Sequence, residues 1–582
     1  MVAIVLAGAP EHSAGWAAGR VTVYSGGYMF GFLVLAASVC GGGDVRVVDE
    51  LTALFPDRMP EAKQALGRLD VPRGAIVGLH LVVSGQDPRH PITVEVSGHG
   101  DLTAKLSRLL AVPVEENTGL ESRTLQWDGR PNPHVVRAAP FEIFDPVQPL
   151  QWGNPITPSG SSGVTAIRIE FEVGAQVTPG QRDLVLKLDQ GPGRGSLELR
   201  LPLVVHQASI PPIGRDSMRF TNWFAPNTLA ARHDEAAWSE LHWELLGQYA
   251  DLMARTRQNV FEVPLSSFLS QDDDGVWVLA RERLERYVEV FSSRGLYWME
   301  GRHIASRPGG DWGAKRLEVR IGAAPRPLVG TQEASARVAA FFEPVREVFE
   351  DNGWNDRWLQ HLADEPTDTN AASYAELATL VRRALPGVRL LEASMSTKLV
   401  GAVDVWCPQT RAFQQHLPFF RERMQAGDEV WVYSCLAPGG PWLNRLLDQE
   451  RLRQVYLGWA ASRDGVTGFL HWGYNRWRVD PYEQSVVDHP QRPGTKNKLP
   501  AGDTHVVYPL PSGDPGILSS LRLEAHRIGL EDRELLEALR AHDSELADTL
   551  TERVFRAYDD FETSPVAYRA ARRALLEALS GD

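Results

Sequence analysis

The sequence predicts an α/β plus all-β fold, in which an N-terminal antiparallel β-sandwich is followed by a (β/α)8 barrel of the TIM type. Residues 45–208 form short β-rich segments that Gly, Pro, Asn and Asp interrupt, as is typical of a sandwich. After Ile210-Pro211-Pro212, strand patterns alternate with helix patterns, and eight strand signals favour a barrel over an open sheet. We expect a poorly defined extension over residues 1–43, a β-sandwich domain over 44–210, and a barrel with C-terminal helices over 211–582.

The composition is that of a globular protein, since 43% of the 582 residues are hydrophobic and 23% are charged. The formal net charge is −14 and no basic block offsets it, which argues against a nucleic-acid or membrane partner and favours a neutral substrate. The three cysteines, Cys40, Cys407 and Cys435, are far apart and not in metal spacing, so they imply neither a disulfide framework nor a zinc site. We expect no metal and no cofactor. The 17 tryptophans suit stacking on sugar rings as well as core packing. The oligomeric state stays open.

The N-terminal extension contains one apolar run, residues 28–39. The run is too short to span a bilayer as a helix, and the segment before it, which carries Glu11 and Arg20, lacks the charge pattern of a secretory leader. We expect a cytoplasmic protein, with export as the alternative.

The sandwich strands are predicted from short runs rich in β-branched residues, at 75–83, 92–96, 166–173 and 184–188. The glycine-rich stretch 191–195 lies between two of these strand patterns and does not open a helix, so it predicts a hairpin turn and not a nucleotide loop.

The eight barrel strands are predicted at 220–224, 259–263, 296–300, 358–363, 389–394, 404–407, 430–435 and 465–472. Helical patterns lie between several of them, for example over residues 238–255 and 334–352.

The chain is organised around Asp364-Glu365-Pro366, which ends the fourth predicted strand. Pro366 disfavours a helical conformation at Glu365, so we expect the acidic pair to be extended at the end of that strand, where barrel active sites lie. Two adjacent carboxylates repel each other, which in a partly dry cleft raises at least one pKa towards that of a useful proton donor. The alternative is a solvated acidic loop or a helix N-terminus.

Acids, aromatic rings and an amide recur at the predicted strand ends, which is the lining expected of a carbohydrate pocket. The set comprises Trp223, Glu262, Glu300, Asp364, Glu365, Trp406, Tyr433, Trp472, Tyr474, Asn475 and Trp477. Among them, we predict that Tyr433, Trp472, Asn475 and Trp477 bind the sugar, together with Trp223 and Trp406. A tryptophan at a strand end also serves commonly as core packing.

Four ordered motifs resemble glycoside hydrolase family 123 over roughly residues 44–580: Asp364-Glu365-Pro366, residues 430–435, residues 465–481 and the tail 521–535. The resemblance implies a β-sandwich, a (β/α)8 barrel, and hydrolysis of β-linked N-acetylgalactosamine. The sequence departs from the family pattern at His471, where an aromatic residue is common, and at Arg533, where a tyrosine is common.

The resemblance also implies a retaining, substrate-assisted mechanism. Most glycosidases place two carboxyl groups on opposite sides of the sugar, about 5 to 9.5 Å apart. Sequence neighbours, with Cα atoms about 3.8 Å apart, do not easily straddle a ring, whereas an attacking 2-acetamido oxygen of the substrate removes that need. Glu365 is then the general acid and base, and Asp364 orients the acetamido group.

Two other functions stay open at this point. A hydrolase of the same fold acting on a non-acetylated glycoside would need a separate nucleophile, and Glu262 or Glu300 could serve. A carbohydrate-binding protein without chemistry is the other alternative. His361 lies near the acidic pair, but on a strand it faces away from Asp364, so we predict no metal cluster there. We expect the helical segment 521–542 to pack on the barrel or the sandwich with its charges on a wet surface.

Overall fold

The computed structural model describes residues 43–160, 163–191, 195–490, 493–494 and 496–581, and the backbone of the strand Ala36–Ser38. Most of the N-terminal extension, including most of the apolar run 28–39, lies outside these residues. In the part of the chain that is described, no helix combines the length and the apolar character needed to cross a bilayer.

The N-terminal region contains an eight-stranded antiparallel sheet. Its last two strands come from beyond the barrel, and Ser519 and Ser520 pair with Val147 and Pro146. In spatial order, the strands are Ala36–Ser38, Asp44–Asp49, Ile76–Ser84, Val164–Glu172, Thr103–Val114, Phe141–Leu150, Ile517–Ser520 and Tyr508–Pro509.

A second, four-stranded sheet has apolar side chains in the same core cluster as the first. It departs from the expected antiparallel pattern, because Leu69–Arg73 and Ser196–Ser209 pair in parallel. More than 100 residues separate these two strands in the chain, and a long connection of this kind permits parallel pairing. The strand order is Leu69–Arg73, Ser196–Ser209, Gly180–Asp189 and Thr93–Ser97. Gly180–Asp189 and Ser196–Ser209 form the hairpin predicted around residues 191–195, of which 192–194 are not described.

The predicted barrel is confirmed as eight parallel strands in a nearly closed sheet. The strands are Arg219–Asn222, Val260–Val263, Trp298–Gly301, Trp358–Gln360, Arg389–Ala393, Val405–Cys407, Glu429–Tyr433 and Gly468–His471. Side-chain amides bridge the seam between the first and second strands, because the Phe220 N–H donates to Asn259 Oδ1 (3.2 Å) and the Asn222 N–H donates to Gln258 Oε1 (3.2 Å).

Helices surround this barrel and cover its outward-facing apolar side chains. They are Pro226–Arg232, Glu240–Arg255, Arg281–Ser292, Gln332–Asn352, Ala371–Ala384, Thr410–Gln415, Leu417–Gln425 and Leu452–Asp464. Three more follow at the C-terminus, Leu521–Arg540, Ser544–Glu552 and Pro565–Ser580, and a short helix, Leu125–Asp128, lies in the N-terminal region.

Five charged side chains of Leu521–Arg540 are buried, which corrects the expectation of a wet surface for these residues; they are Arg522, Glu524, Arg527, Glu531 and Asp532. The Arg527 guanidinium lies 3.0 Å from Glu524 and 2.7 Å from Glu531. Arg168, from the N-terminal sheet, lies 3.9 Å from the same Glu524. The helix is therefore enclosed between barrel and sheet, and its alternating charges neutralise one another inside the protein.

Candidate active site

The acidic pair lies at the carboxyl end of the fourth barrel strand, Trp358–Gln360, where the rim of a barrel carries its chemistry. Glu365 has a φ of +44°, so its backbone is left-handed and not extended as the following proline predicted. The Arg307 guanidinium donates to the Glu365 carbonyl oxygen. A non-glycine residue in this region is strained, and such strain persists where the surroundings hold the residue in place.

The Glu365 carboxyl group is half-buried and accepts a hydrogen bond from the Tyr433 hydroxyl at 2.5 Å. Burial and the charge of Asp364 raise its pKa to about 7, while Tyr433, Arg307 and His303 act in the opposite direction. Asp364 itself is exposed. One acid of the pair is thus suited to hold a proton near neutral pH while the other faces solvent.

Below the pair, His361 is buried between two glutamates. Its Nε2 lies 2.6 Å from Glu300 Oε1 and its Nδ1 lies 3.1 Å from Glu392 Oε1. Burial opposes the imidazolium charge, but the two carboxylates outweigh it and raise the pKa of His361 to about 10. We infer an imidazolium held between two carboxylates.

Glu392 also holds the chain that leads into the acidic pair. Its Oε2 accepts hydrogen bonds from the backbone N–H groups of Leu362 (2.9 Å) and Ala363 (3.0 Å). Burial alone would raise the pKa of Glu392, but His303 and His361 lower it to about 2. The backbone before Asp364 is therefore fixed by a fully charged carboxylate.

His303, His361 and Glu392 are also the group with metal-ligand spacing in the described part of the chain, with candidate ligand atoms within 4.8 Å of one another. Both ring nitrogens of His361 already face carboxylates, and His303 Nε2 lies 3.1 Å from Glu392. The hydrogen-bonded network accounts for the cluster without an ion, and Asp364 is not part of it.

A cavity of about 500 Å³ opens beside the acidic pair. Asp364, Glu365 and Tyr433 do not line it, but His303 does, and His303 is close enough to lower the pKa of Glu365. The cavity lies at the ends of the first four strands and in the loops after them, and it is completed by Arg476 from the loop after the eighth strand and by Phe341 from the helix Gln332–Asn352. Its lining is Trp223, Glu262, Leu265, Ser266, Trp277, Glu300, Gly301, Arg302, His303, Ile304, Arg320, Ile321, Gly322, Phe341, Gln360, His361 and Arg476.

Among the predicted sugar-binding residues, Trp223 lines the cavity, and its indole N–H donates to Glu300 Oε1 at 2.7 Å. The Tyr433 hydroxyl donates a hydrogen bond to the Glu365 carboxyl group. Trp472 and Trp477 are half-buried beyond the eighth strand, where their indole N–H groups donate to Asp503 Oδ1 (3.2 Å) and to the Val507 carbonyl oxygen (3.0 Å). Neither lines the cavity.

Trp406 does not line the rim of the barrel, contrary to the prediction that it binds the sugar. It is fully buried, its indole N–H donates to Asp428 (3.0 Å), and its ring packs on Phe419. Its neighbours in the strand, Val405 and Cys407, belong to the cluster inside the barrel. Because side chains alternate along a strand, Trp406 faces the helices.

Asn475 is also unavailable to a sugar. It is fully buried, its Oδ1 accepts from the Ala225 N–H at 2.8 Å, and its Nδ2 donates to the Ala225 carbonyl oxygen at 3.2 Å. Asn475 therefore positions the loop that follows the first strand.

Sequence reasoning missed Asp503, a buried acid in the segment after the barrel. Burial raises its pKa to about 7, against the opposing effects of Arg445 and the Trp472 hydrogen bond. It also missed His303 and Arg307, which lie in the loop after the third strand. None of these three residues belongs to a motif, so the sequence carries no signal that could have found them.

Comparison with known proteins identifies the family to which the chain belongs. Residues 223–539 match the family described as "Glycoside hydrolase 123, catalytic domain". A solved family 123 glycoside hydrolase from Clostridium perfringens, described in terms of glycolipid glycan hydrolysis, is 12% identical with a TM-score of 0.68, and the match covers 93% of this chain and 97% of that chain.

Two other solved structures are less similar. A family 5 mannosidase from Rhizomucor miehei is 8% identical (TM-score 0.29; 55% of this chain, 95% of that chain). A family 10 xylanase from Thermobacillus composti is 11% identical (TM-score 0.29; 54% and 96%). No curated protein matches the sequence.

The family match covers more than half of the chain and includes the acidic pair and the barrel strands after the first. The similar C. perfringens structure has the same overall fold across nearly its whole length. The chain belongs to glycoside hydrolase family 123, and its barrel is that of a glycosidase.

Proposed function

We propose that this protein is a retaining glycosidase that removes β-linked N-acetylhexosamine, most readily N-acetylgalactosamine, by a substrate-assisted mechanism. The 2-acetamido oxygen attacks the anomeric carbon, and an oxazolinium-like intermediate forms as the leaving oxygen takes a proton from Glu365. Asp364 accepts the acetamido N–H and stabilises the positive charge. Glu365 then removes a proton from water, which opens the intermediate with net retention.

The observation that carries this proposal is the contrast within the acidic pair. Glu365 is half-buried against Tyr433 with its pKa raised to about 7, so a large fraction of it carries a proton near neutral pH. Asp364 is exposed beside it and is free to accept a hydrogen bond from substrate. A proton donor and an acceptor therefore lie side by side, as the mechanism requires.

The acids that could serve as a separate nucleophile are already engaged. Glu262 accepts two hydrogen bonds from the Arg302 guanidinium, at 2.5 and 3.1 Å. Glu300 accepts from Thr221 (2.8 Å) and Trp223 (2.7 Å) and lies 2.6 Å from His361. Each carboxylate is held in place by these partners, whereas the proposed mechanism needs no separate enzyme nucleophile.

A panel of 4-nitrophenyl β-glycosides tests the proposal. We expect turnover of N-acetylgalactosaminide, weaker turnover of N-acetylglucosaminide, and none of galactoside, glucoside or glucuronide. Turnover of non-acetylated sugars alone would support the alternative hydrolase, with Glu262→Gln and Glu300→Gln as the variants that identify its nucleophile. A protein that binds sugars without cleaving any would be the non-catalytic alternative.

A further inference from the structure

We propose that the cavity beside the acidic pair binds an anionic group of the glycan, a sulfate ester or a carboxylate, through Arg476 and Arg320. This inference rests on the proposed function for the location of the cleaved bond, but the binding itself does not depend on catalysis. It also revises the expectation of a neutral substrate.

Arg476 is the main observation. It lines the cavity and is half-buried, and its Nε donates to the Trp472 carbonyl oxygen at 2.8 Å, which orients the guanidinium group. Among the described residues, no carboxylate forms an ion pair with it. The acid whose charge acts on it, Glu262, is already held by Arg302. A half-buried cation without an acidic partner is costly, and an anionic ligand would remove that cost.

Arg320 adds a second free charge to the same cavity. It is an exposed lining residue, and no ion pair to it occurs among the described residues. The lining holds three arginines, Arg302, Arg320 and Arg476, against two carboxylates, Glu262 and Glu300. Arg302 is paired with Glu262, and His361 lies between Glu300 and Glu392, so Arg320 and Arg476 supply the uncompensated positive charge. A cationic cavity in a protein with a net charge of −14 favours an anion locally.

The chemistry of the ligand follows from the guanidinium groups. Arginine presents planar, paired N–H donors that match the two oxygens of a carboxylate or a sulfate. Two sources of such a group are consistent with the position of the cavity: a sulfate ester on the N-acetylgalactosamine itself, or the carboxylate of a uronic acid linked to it.

Binding is measured first, by calorimetric titration of four probes into the Glu365→Gln protein, in which turnover is expected to be slow. The probes are N-acetylgalactosamine, its 4- and 6-sulfates, and N-acetylgalactosaminyl-β-glucuronic acid. We expect a sulfate or the uronic acid to bind about 10- to 100-fold more tightly than the neutral sugar, with an affinity that falls as salt rises. The probe that binds more tightly identifies the source of the anion.

Arg476→Gln is expected to abolish this preference, and Arg320→Gln to weaken it. Arg476→Lys, which keeps the charge, should retain part of it. Arg478→Gln is the matched control, because Arg478 is exposed two residues away and does not line the cavity. A thermal melt of each variant separates unfolding from lost binding.

Two results would overturn the proposal: anionic probes that bind no better than the neutral sugar, or equal losses in Arg476→Gln and Arg478→Gln. Because these titrations require no turnover, they decide the inference even if the glycoside panel contradicts the proposed function. Conversely, if the protein hydrolyses N-acetylgalactosaminides but binds anionic probes no better than neutral ones, this inference is contradicted and the proposed function is not.

Discussion

Glu365 and Glu392 lie at the ends of neighbouring barrel strands, and burial acts to raise the pKa of both. The pKa of Glu365 rises to about 7, whereas that of Glu392 falls to about 2. Glu365 has another acid, Asp364, and a phenol beside it. Glu392 has two histidines and two backbone N–H groups. The neighbours, and not the depth of burial, decide which carboxyl group keeps a proton.

The two glutamates therefore have different roles at this rim of the barrel. Glu365 is left with few compensating charges and is available for proton transfer. Glu392 is fully compensated and fixes the backbone that presents Asp364 and Glu365. The comparison predicts that one substitution removes chemistry and the other removes stability.

The largest effect is expected for Glu365→Gln. Loss of the proton donor should lower kcat about 100- to 10,000-fold on an N-acetylgalactosaminide with a poor leaving group, and much less on the 2,4-dinitrophenyl glycoside, because that leaving group needs no proton. Steady-state kinetics on the two substrates measures the contrast. Asp368→Asn, which removes an exposed acid paired with Lys398, is the control and should change kcat less than twofold.

Asp364→Asn provides the complementary result. In the proposed mechanism Asp364 assists formation of the intermediate, so this variant should slow the hydrolysis of both substrates to a similar degree. The assignment of roles would be contradicted if Glu365→Gln slowed the hydrolysis of both substrates equally. Wild-type activity in either variant would contradict it as well.

Glu392→Gln should destabilise the protein by about 3 kcal/mol, because it removes a buried charge that faces His303 and His361. Urea denaturation measures the change. Glu376→Gln is the control, since Glu376 forms a half-exposed pair with Arg316, and its loss should cost less than about 0.5 kcal/mol. Equal changes in the two variants would show that the histidine network does not hold this rim.

Tyr433→Phe sharpens the comparison within the active site. The Tyr433 hydroxyl donates to the Glu365 carboxylate and so favours the ionised form. Without it, the pKa of Glu365 should rise further, and the alkaline limb of the kcat/KM profile should move to higher pH, with a loss of up to about tenfold at the optimum. Tyr482→Phe, whose hydroxyl bonds to the Pro509 carbonyl oxygen, should leave the profile unchanged. A limb that moves to lower pH would contradict this role.

The smallest effect concerns stability. An unfolded glutamate loses its proton near pH 4.5, whereas folded Glu365 keeps its proton up to about pH 7. The protonated carboxyl group therefore contributes stability below pH 4.5, and that contribution is lost as the pH rises from 4.5 to 7. Glu365→Gln should gain about 1 kcal/mol relative to the wild type between pH 5 and pH 8, after allowance for solvent at a half-buried group. Urea denaturation of both proteins at pH 5 and pH 8 measures this difference in the free energy of unfolding. A variant that loses stability relative to the wild type over this range would contradict the raised pKa.

The barrel could be predicted from the sequence because each strand is a short apolar run bounded by turns. The third strand was expected at residues 296–300 and lies at Trp298–Gly301, and the seventh was expected at 430–435 and lies at Glu429–Tyr433. The position of the acidic pair at the end of the fourth strand followed from the same pattern.

The candidate site was predicted less completely. Trp406 was misplaced because its position near a strand end was considered without the alternation that turns it towards the helices. Asn475 was misplaced because its partner, the backbone of Ala225, is 250 residues away in the chain. His303 and Asp503 depend on loop conformations that no local pattern specifies. The left-handed backbone of Glu365 opposes the local preference set by Pro366, as strained functional residues do.

The two strands that return from beyond the barrel have an evolutionary consequence. Ile517–Ser520 and Tyr508–Pro509 complete the N-terminal sheet, and Glu524 of the following helix meets Arg168 of that sheet. A genetic exchange with a breakpoint at the proline-rich junction near residue 210 would separate Ile517–Ser520 from its partner strand Phe141–Leu150 and leave Glu524 without one of its cations. The two halves of this chain are expected to be inherited together, and not shuffled as separate cassettes.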